Sequence, residues 1–550
     1  KTEITTTVPD AGVDSDTPPE PKDDDVPLVP ADKVDLLLVV DDSASMGDKA
    51  KLLSSSVGTL LRRVAARAGD VHLGVISSSL GSMGGDVCRP EANRRAHLST
   101  RAPDGGAVAA AATRGFLAYG GGPGATGDLE AFVEDAETLV AGVGETGCGL
   151  EAQLESAYRF LVQPDPWQDV ELNDRNQAVY EGLDATLLAQ RKAFLRPDSL
   201  VVVLMLTDED DSSADPLSVG GQGWAFMATQ FPGSTTFRPD GKSTTAPRAT
   251  SACASDPASP DCTSCGYAAT CNASDPACAK IKSDPQCQKN GGYYGPTEDQ
   301  LNVRFHRMKE RYGIDPQFPI ARYVQGFTSA KVPSRDAEHD ATGNYVGTPT
   351  CTNPLFASEL PAGPGDELCE LKRGTRSRQL VVFGLIGGVP ERLVRGEPAW
   401  ASILGSDPDR YDYSGIDPHM IPSTSPRPGL PPPSPTRGDN GTDPDHGREW
   451  DTASDDLQYA CTFALPAPRV CSPGDSACDC ASAERNPPLC GATVGEQLRG
   501  KAYPTVRELR VAKALGDRAV VASICPTDVG QGYASTMKTL ADKLEPRLAR

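Results

Sequence analysis

The sequence predicts an α/β protein: a doubly wound, Rossmann-like parallel sheet flanked by helices and carrying long, disulfide-rich irregular insertions. Three observations predict it. Two apolar runs, Val34–Val40 and Leu200–Leu206, have the length and composition of strands buried on both faces, six of the seven residues of the first being Val or Leu. Strand-like and helix-like stretches alternate from Val34 to Leu544. Between them lie stretches rich in Pro, Gly, Asp and Ser that hold most of the 16 cysteines.

Residues 1–30 are acidic and rich in Pro and Thr with almost nothing to bury, and predict a flexible tether. Residues 31–550 then read as one domain, with a Cys-rich insertion at 212–298, a connecting insertion at 333–377 and a Pro/Cys-rich insertion at 391–500. After the first strand, Leu52, Leu53, Val57, Leu60, Leu61 and Val64 recur at helical spacing between basic residues, predicting a crossover helix over 47–68. Val71–Ile76 is the next strand, in which His72 is expected to sit with a satisfied hydrogen bond. The small, Gly-rich stretch 99–127 suggests a short edge hairpin turning at Asp104-Gly105. Helices follow over 128–143 and 150–161, then the strand Leu200–Leu206. After the first insertion, Leu301–Tyr312 predicts a helix and Gln379–Ile386 a strand, while 391–500 reads as irregular. Helix, strand and helix close the chain at Thr505–Leu515, Ala519–Ile524 and Ala534–Leu544.

Each of the two long strands ends abruptly in chemistry. The first runs into Asp41-Asp42-Ser43-Ala44-Ser45, releasing a carboxylate and two hydroxyls at alternate positions just before a helix. The second runs into Thr207-Asp208-Glu209-Asp210-Asp211. Ligands of open α/β sheets collect beyond the carboxyl ends of the strands, and oxygen donors suit a small hard cation. A sheet that sets Val34–Val40 beside Leu200–Leu206 brings Asp41 and Asp208 to one crevice.

The Asp41-x-Ser43-x-Ser45 run after a buried strand resembles the metal-ion-dependent adhesion site of the von Willebrand factor A domain. The resemblance implies a divalent cation, Mg²⁺ first and Ca²⁺ or Mn²⁺ next, held by Asp41, Ser43, Ser45, Thr146 and Asp208. Thr146 fits the family's loop hydroxyl, and Asp208 the Asp of its Thr-Asp-Gly motif, in which Glu209 departs from the usual Gly. Glu209, Asp210 and Asp211 are secondary metal candidates that raise affinity or shift preference toward Ca²⁺; the other reading of the run is a solvated acidic loop in which Asp208 alone functions. Stretches at 147–151, 194–211, 311–324, 456–466 and 522–526 resemble a group of exported, often lipid-anchored bacterial proteins of this family. That likeness implies a cell-surface, outer-envelope or extracellular protein that takes a carboxylate from a protein or glycan partner. The alternative is a structural envelope protein whose metal site is vestigial or only stabilising.

Composition narrows the classes further. Fifty-three basic against seventy-five acidic side chains leave a net charge of −22, which repels phosphate backbones and anionic surfaces, so nucleic acid is not expected as a partner. No apolar run approaches the roughly eighteen residues of a membrane span. Sixteen grouped cysteines point to an oxidising compartment. Cys88 with Cys148 and Cys351 with Cys369 are the candidate disulfides; six cysteines between 253 and 287 group together, and five from 461 to 490 group with Cys525. Cys262-x-x-Cys265 reads as disulfide-bonded rather than zinc-binding, since no His is near. An export segment is expected to have been removed before Lys1, where a lipid anchor would sit. Neither HExxH, GxSxG nor a phosphate loop is present, so no enzyme is expected; Glu338-His339-Asp340 and Asp445-His446 read as exposed polar loops.

Overall fold

The computed structural model describes residues 26–549 apart from 82–87, 89, 175–176, 222, 342, 409–412, 434–440, 455, 473–476 and 482–484; within 225–314 it includes only 248–255, 259, 261–263, 265, 274, 276–292, 294, 303 and 305–307. Most of the expected tether at 1–30, much of the 212–298 insertion and most of the helix expected over 301–312 therefore lie outside the described residues.

The chain runs β1 (Lys33–Val40), α1 (Gly47–Ala65), β2 (Asp70–Ser77), β3 (Leu117–Gly120), α2 (Leu129–Ala141), α3 (Gln153–Leu161), the hairpin β4 (Asp169–Leu172) and β5 (Ala178–Glu181), α4 (Ala185–Phe194) and β6 (Leu200–Leu206). The helix Ile320–Thr328 follows, then a short pair, β7 (Lys331–Val332) and β8 (Cys351–Thr352), and β9 (Val381–Gly387). A second hairpin, β10 (Cys461–Val470) with β11 (Glu496–Ala502), precedes the helix Val506–Leu515, β12 (Ala519–Ser523) and the helix Ala534–Leu544.

Six strands form the central sheet in the order β12-β9-β6-β1-β2-β3, all parallel except β3, which runs antiparallel to β2. Alternation along β1 sends Leu37 and Val39 to one face and Val34, Leu36, Leu38 and Val40 to the other, and both faces are buried. The first face packs against α3, α4 and the helices Ile320–Thr328 and Val506–Leu515. The second packs against α1, α2 and the helix Ala534–Leu544. A strand covered on both sides is largely apolar, which is why β1, β6 and β9 stand out in the sequence; the one buried charge of β1, Asp35, is paired with Arg196. β1 has β2 on one side and β6 on the other, so the chain reverses its direction of winding there and a crevice opens beyond β1 and β6.

Other elements differ from the sequence reading. The stretch 99–127 yields one edge strand, β3, whose partner is β2; around Asp104-Gly105 only the single bridge Arg101–Ala107 forms. Within 391–500 the hairpin β10–β11 replaces the irregular structure expected there. Pro466 and Pro468 conceal β10, and a two-stranded ribbon bulged between Ala464 and Arg469 tolerates both. The disulfides Cys88–Cys148 and Cys351–Cys369 form as expected. Cys253–Cys262, Cys265–Cys287, Cys471–Cys478 and Cys480–Cys490 staple the insertions, and Cys461–Cys525 ties β10 to the end of β12. No helix among the described residues is long and apolar enough to cross a membrane.

The start of α4 yields a prediction. Asp184 caps it by accepting from the Leu187 amide at 3.0 Å, and also receives His97 Nε2 at 2.8 Å and the buried Arg159 guanidinium at 3.0 Å. Burial pushes the Asp184 carboxyl up, but the His97 imidazole, the Leu187 amide and Arg159 outweigh it and bring the pKa down to about 2. A depressed carboxyl contributes stability above its unfolded pKa and loses it as pH falls through the folded value. Asp184→Asn should therefore cost about 2 kcal/mol near neutrality, with the deficit vanishing between about pH 4 and about pH 2. Denaturant midpoints of both proteins across that window check it.

Candidate metal centre beyond β1 and β6

The parallel register pairs Val40 with Leu206, so the chain leaves both strands at the same level, and the Asp41 amide donates to the Leu206 carbonyl at 3.0 Å. Asp41 is fully buried. Its Oδ1 accepts from the Ser43 amide at 2.8 Å and from Ser78 Oγ at 3.2 Å, while Oδ2 accepts from Thr207 Oγ1 at 2.8 Å. Thr207 in turn accepts from Gln153 Nε2 at 2.6 Å. Asp208 is equally buried; its Oδ2 receives Ser45 Oγ at 2.7 Å and the ammonium of Lys49 at 2.8 Å. Asp41, Ser43, Ser45 and Asp208 thus meet in one crevice.

Among the described residues, Ser43 Oγ and Asp208 Oδ1 are buried there without a hydrogen-bond partner, as are Asp42 Oδ2, Glu151 Oε1 and Gln153 Oε1 around them. Each such orphan costs about 1–3 kcal/mol. Ser43 Oγ and Asp208 Oδ1 are oxygen donors beside a buried carboxylate, the chemistry a Mg²⁺-like ion recruits, so the residues fit a hard divalent cation. The electrostatics agree in direction. Burial and then the charge of Asp208 push Asp41 up to about 7, and burial and then Asp208 push Glu209 up to about 8. Glu151, buried beside Glu209, is raised well above the ordinary range by burial, Glu209 and Asp41. Burial lowers the Lys49 ammonium, but Asp208 and Asp48 together outweigh it and hold it above the usual lysine value.

Thr146 does not join this group. The loop that carries it is pinned by the Gly147 amide on the Asp42 carbonyl at 2.7 Å and by the Gly47 amide on Glu145 Oε1 at 2.9 Å. Thr146 is thereby turned to solvent, where its hydroxyl accepts from Arg94 Nη2 at 3.3 Å. A side chain at Gly147 would collide with Asp42 Oδ1, 2.2 Å from the position of a Cβ, so glycine allows this close approach.

The acidic run divides as well. Glu209 stays with the crevice carboxylates, whereas Asp210 Oδ1 accepts from the Arg507 amide at 2.7 Å and Asp211 Oδ2 from the Leu154 amide at 3.0 Å. Both serve the amino ends of helices, Val506–Leu515 and α3, where exposed N–H groups attract carboxylates. Asp210 and Asp211 are therefore corrected from metal candidates to helix caps. Asp208, Asp211 and Asp215 are all buried, so the run is not a solvated loop.

Sequence reasoning passed over Lys49, Ser78, Ser79 and Thr207. Ser79 Oγ donates to Asp42 Oδ1 at 2.7 Å and accepts the Cys148 amide at 2.8 Å, joining β2 to the Cys148 loop. The signal was Ser77-Ser78-Ser79 at the carboxyl end of a strand adjoining β1. Of the two His motifs read as exposed loops, Glu338 and His446 are buried, His339 and Asp445 are partly buried and Asp340 is exposed; Glu338 pairs with Arg322, His339 Nε2 with Asp215 at 2.6 Å, and His446 Nε2 with Glu449 at 2.8 Å. His72 is satisfied as expected, by the Phe194 carbonyl at 2.8 Å. Models of protein families, curated proteins and solved structures provide no match to this chain.

Proposed function

We propose that this chain is a von Willebrand factor A-type module that holds a divalent cation, Mg²⁺ in the first place, through Asp41, Ser43, Ser45 and Asp208. It uses that ion on the outside of the cell, as an adhesion or ligand-binding protein, to capture a carboxylate on a protein or glycan partner. The observation that carries the reading is the pair of orphaned oxygens, Ser43 Oγ and Asp208 Oδ1, buried at the switch point beside Asp41. The chemistry a bound ion supplies there is an open coordination position for an incoming carboxylate. The chain's own part is to hold Asp41 through Thr207 and Ser78, to aim Asp208 through Ser45, and to exclude bulk water by burial. The disulfides support an oxidising, exported setting, anchored at the surface through the tether.

One observation favours a second reading, a structural envelope protein with a vestigial metal site: Lys49 already neutralises Asp208 at 2.8 Å. Titration calorimetry of the chelator-stripped protein with Mg²⁺, Mn²⁺ and Ca²⁺ separates the two. The adhesion reading expects one equivalent bound in the parent and none in Asp41→Ala or Asp208→Ala. Absence of binding in a folded parent, or equal binding in both variants, transfers the site to the structural reading.

A further inference from the structure

The insertion 391–500 holds a second cluster. From 370 to 460 the chain has no cysteine, so the disulfides that staple its other irregular stretches are not available there. In this half of the insertion His419 and His446, far apart in sequence, pack with ring centroids 4.8 Å apart and with Asp443 between their nitrogens. His419 Nε2 lies 3.0 Å and His446 Nδ1 3.8 Å from Asp443 Oδ1, and the three ligand atoms all lie within 4.8 Å of one another. Two ligands held at 2.0–2.2 Å by one tetrahedral ion stand about 3.3–3.6 Å apart, so these spacings bracket what such an ion requires. All three side chains are buried or nearly so, and among the described residues His446 Nδ1 has no hydrogen-bond partner.

The nitrogens facing away from Asp443 are equally informative. His419 Nδ1 is 2.7 Å from Asp417 Oδ1, and His446 Nε2 is 2.8 Å from Glu449 Oε1. A carboxylate on the outer nitrogen fixes the tautomer whose inner nitrogen carries a lone pair, as around metal-ligating histidines. Those carboxylates are themselves held. Arg392 pairs with Asp417 at 2.6 Å and Asp445 at 2.8 Å, and Arg427 grips Glu449 at 2.9 Å. Four carboxylates (Asp417, Asp443, Asp445, Glu449) thus face two guanidiniums, and with neutral imidazoles the cluster keeps two negative charges. The backbone pins Asp443: its Oδ1 accepts the Asp445 and His446 amides at 2.9 and 3.0 Å, and both its oxygens lie 3.0 Å from His419 Nε2.

We propose that His419, Asp443 and His446 form a site for one divalent transition-metal ion of the Zn²⁺ class, clamping the cysteine-free half of the insertion. Two imidazoles and one carboxylate suit such an ion rather than the hard cation proposed for the Asp41 crevice, and the remaining coordination position is open to water or to Asp445, whose Oδ2 lies 3.7 Å from His419 Nε2.

The test is a Co²⁺ titration of the chelator-stripped full chain, read by visible ligand-field absorption, which is strong for a four-coordinate nitrogen-ligated ion. One equivalent should produce the bands, Zn²⁺ should displace it, and Asp41→Ala should leave the bands unchanged. His446→Ala should abolish them, and Asp417→Asn should weaken binding by about 10–100-fold. Absence of bands in a natively folded parent, or full-intensity bands in His446→Ala, overturns the proposal. Should His446→Ala fail to fold, proton NMR of the Co²⁺-loaded parent decides: two paramagnetically shifted imidazole N–H signals support the site, and fewer than two overturn it.

Discussion

Arg322→Met should lower the unfolding free energy by about 3–5 kcal/mol, the cost of leaving partners of a buried ion pair uncompensated. Arg322, 1% exposed on the helix Ile320–Thr328, joins this helix to two buried carboxylates. Its Nε meets Glu338 Oε1 at 2.7 Å, and its Nη1 meets Glu155 of α3. The guanidinium also lies 3.7 Å from the ring centroid of Tyr158 and 4.1 Å from that of Phe318, so its charge is shared with aromatic faces in a site with little water. Methionine keeps most of the volume and removes the charge, so the loss reports electrostatics rather than a cavity. Burial pushes Glu155 up to about 7 even with the arginine present. A carboxyl raised above its unfolded value loses its contribution as pH rises toward the folded pKa; parent and variant lose it in step until the parent's Glu155 ionises, and only the variant goes on losing it, so the variant's deficit should widen from about pH 7 upward. Denaturant unfolding at several pH values measures both effects. Adding Glu155→Gln and Glu338→Gln to the variant should restore most of the loss, because the stranded charges go with the arginine. A single-variant loss below about 1 kcal/mol would place the triad among surface-like pairs and reject this account.

What the sequence disclosed follows from how each element is buried. β1, β6 and β9 lie within the central sheet, and burial on both faces gives them nearly continuous apolar runs, broken in β1 only by Asp35. β4, β5 and α4 carry no such constraint: α4 buries only Leu187, Leu188, Arg191 and Phe194 along its length, a pattern too sparse to stand out. The crevice divides in the same way. Asp41, Ser43, Ser45 and Asp208 could be assigned because strand ends fix where they emerge, and the register of β1 on β6 brings them together. Thr146 sits on a loop whose path depends on two hydrogen bonds from Gly47 and Gly147, and spacing along the chain does not encode these. Asp210 and Asp211 share the composition of a metal loop, yet they are claimed by helix termini from residues 154 and 507. The His419 cluster was hidden for another reason: its ligands lie on an irregular insertion without periodicity, 27 residues apart, and only the folded chain pairs them.

Lys49→Met tests the crevice at its buried ion pair. Lys49 and Asp208 are 1% and 0% exposed, and the ammonium also donates to the Ser45 carbonyl at 2.7 Å. Removing it in chelator leaves Asp208 buried and unpaired near Asp41, at an expected cost of about 3–5 kcal/mol. If the crevice is a cation site, the same substitution removes a positive charge that competes with the ion. Mg²⁺ should then bind the variant at least about tenfold more tightly than the parent, since an ammonium this close repels a dication by several kcal/mol at an effective dielectric near 20. Saturation at a hundredfold excess over Kd should return about 2.7 kcal/mol of stability, recovering most of the loss. Melting of parent and variant in chelator and in graded Mg²⁺ reads both quantities. A variant that is destabilised and gains nothing from Mg²⁺, Mn²⁺ or Ca²⁺ would show that Lys49 and Asp208 are a structural ion pair, with Lys49 holding the place proposed for the ion. Rescue by Mg²⁺ that also requires Asp41 would instead show that the lysine and the ion are alternative partners for one carboxylate, with the ion-bound state competent to receive a ligand.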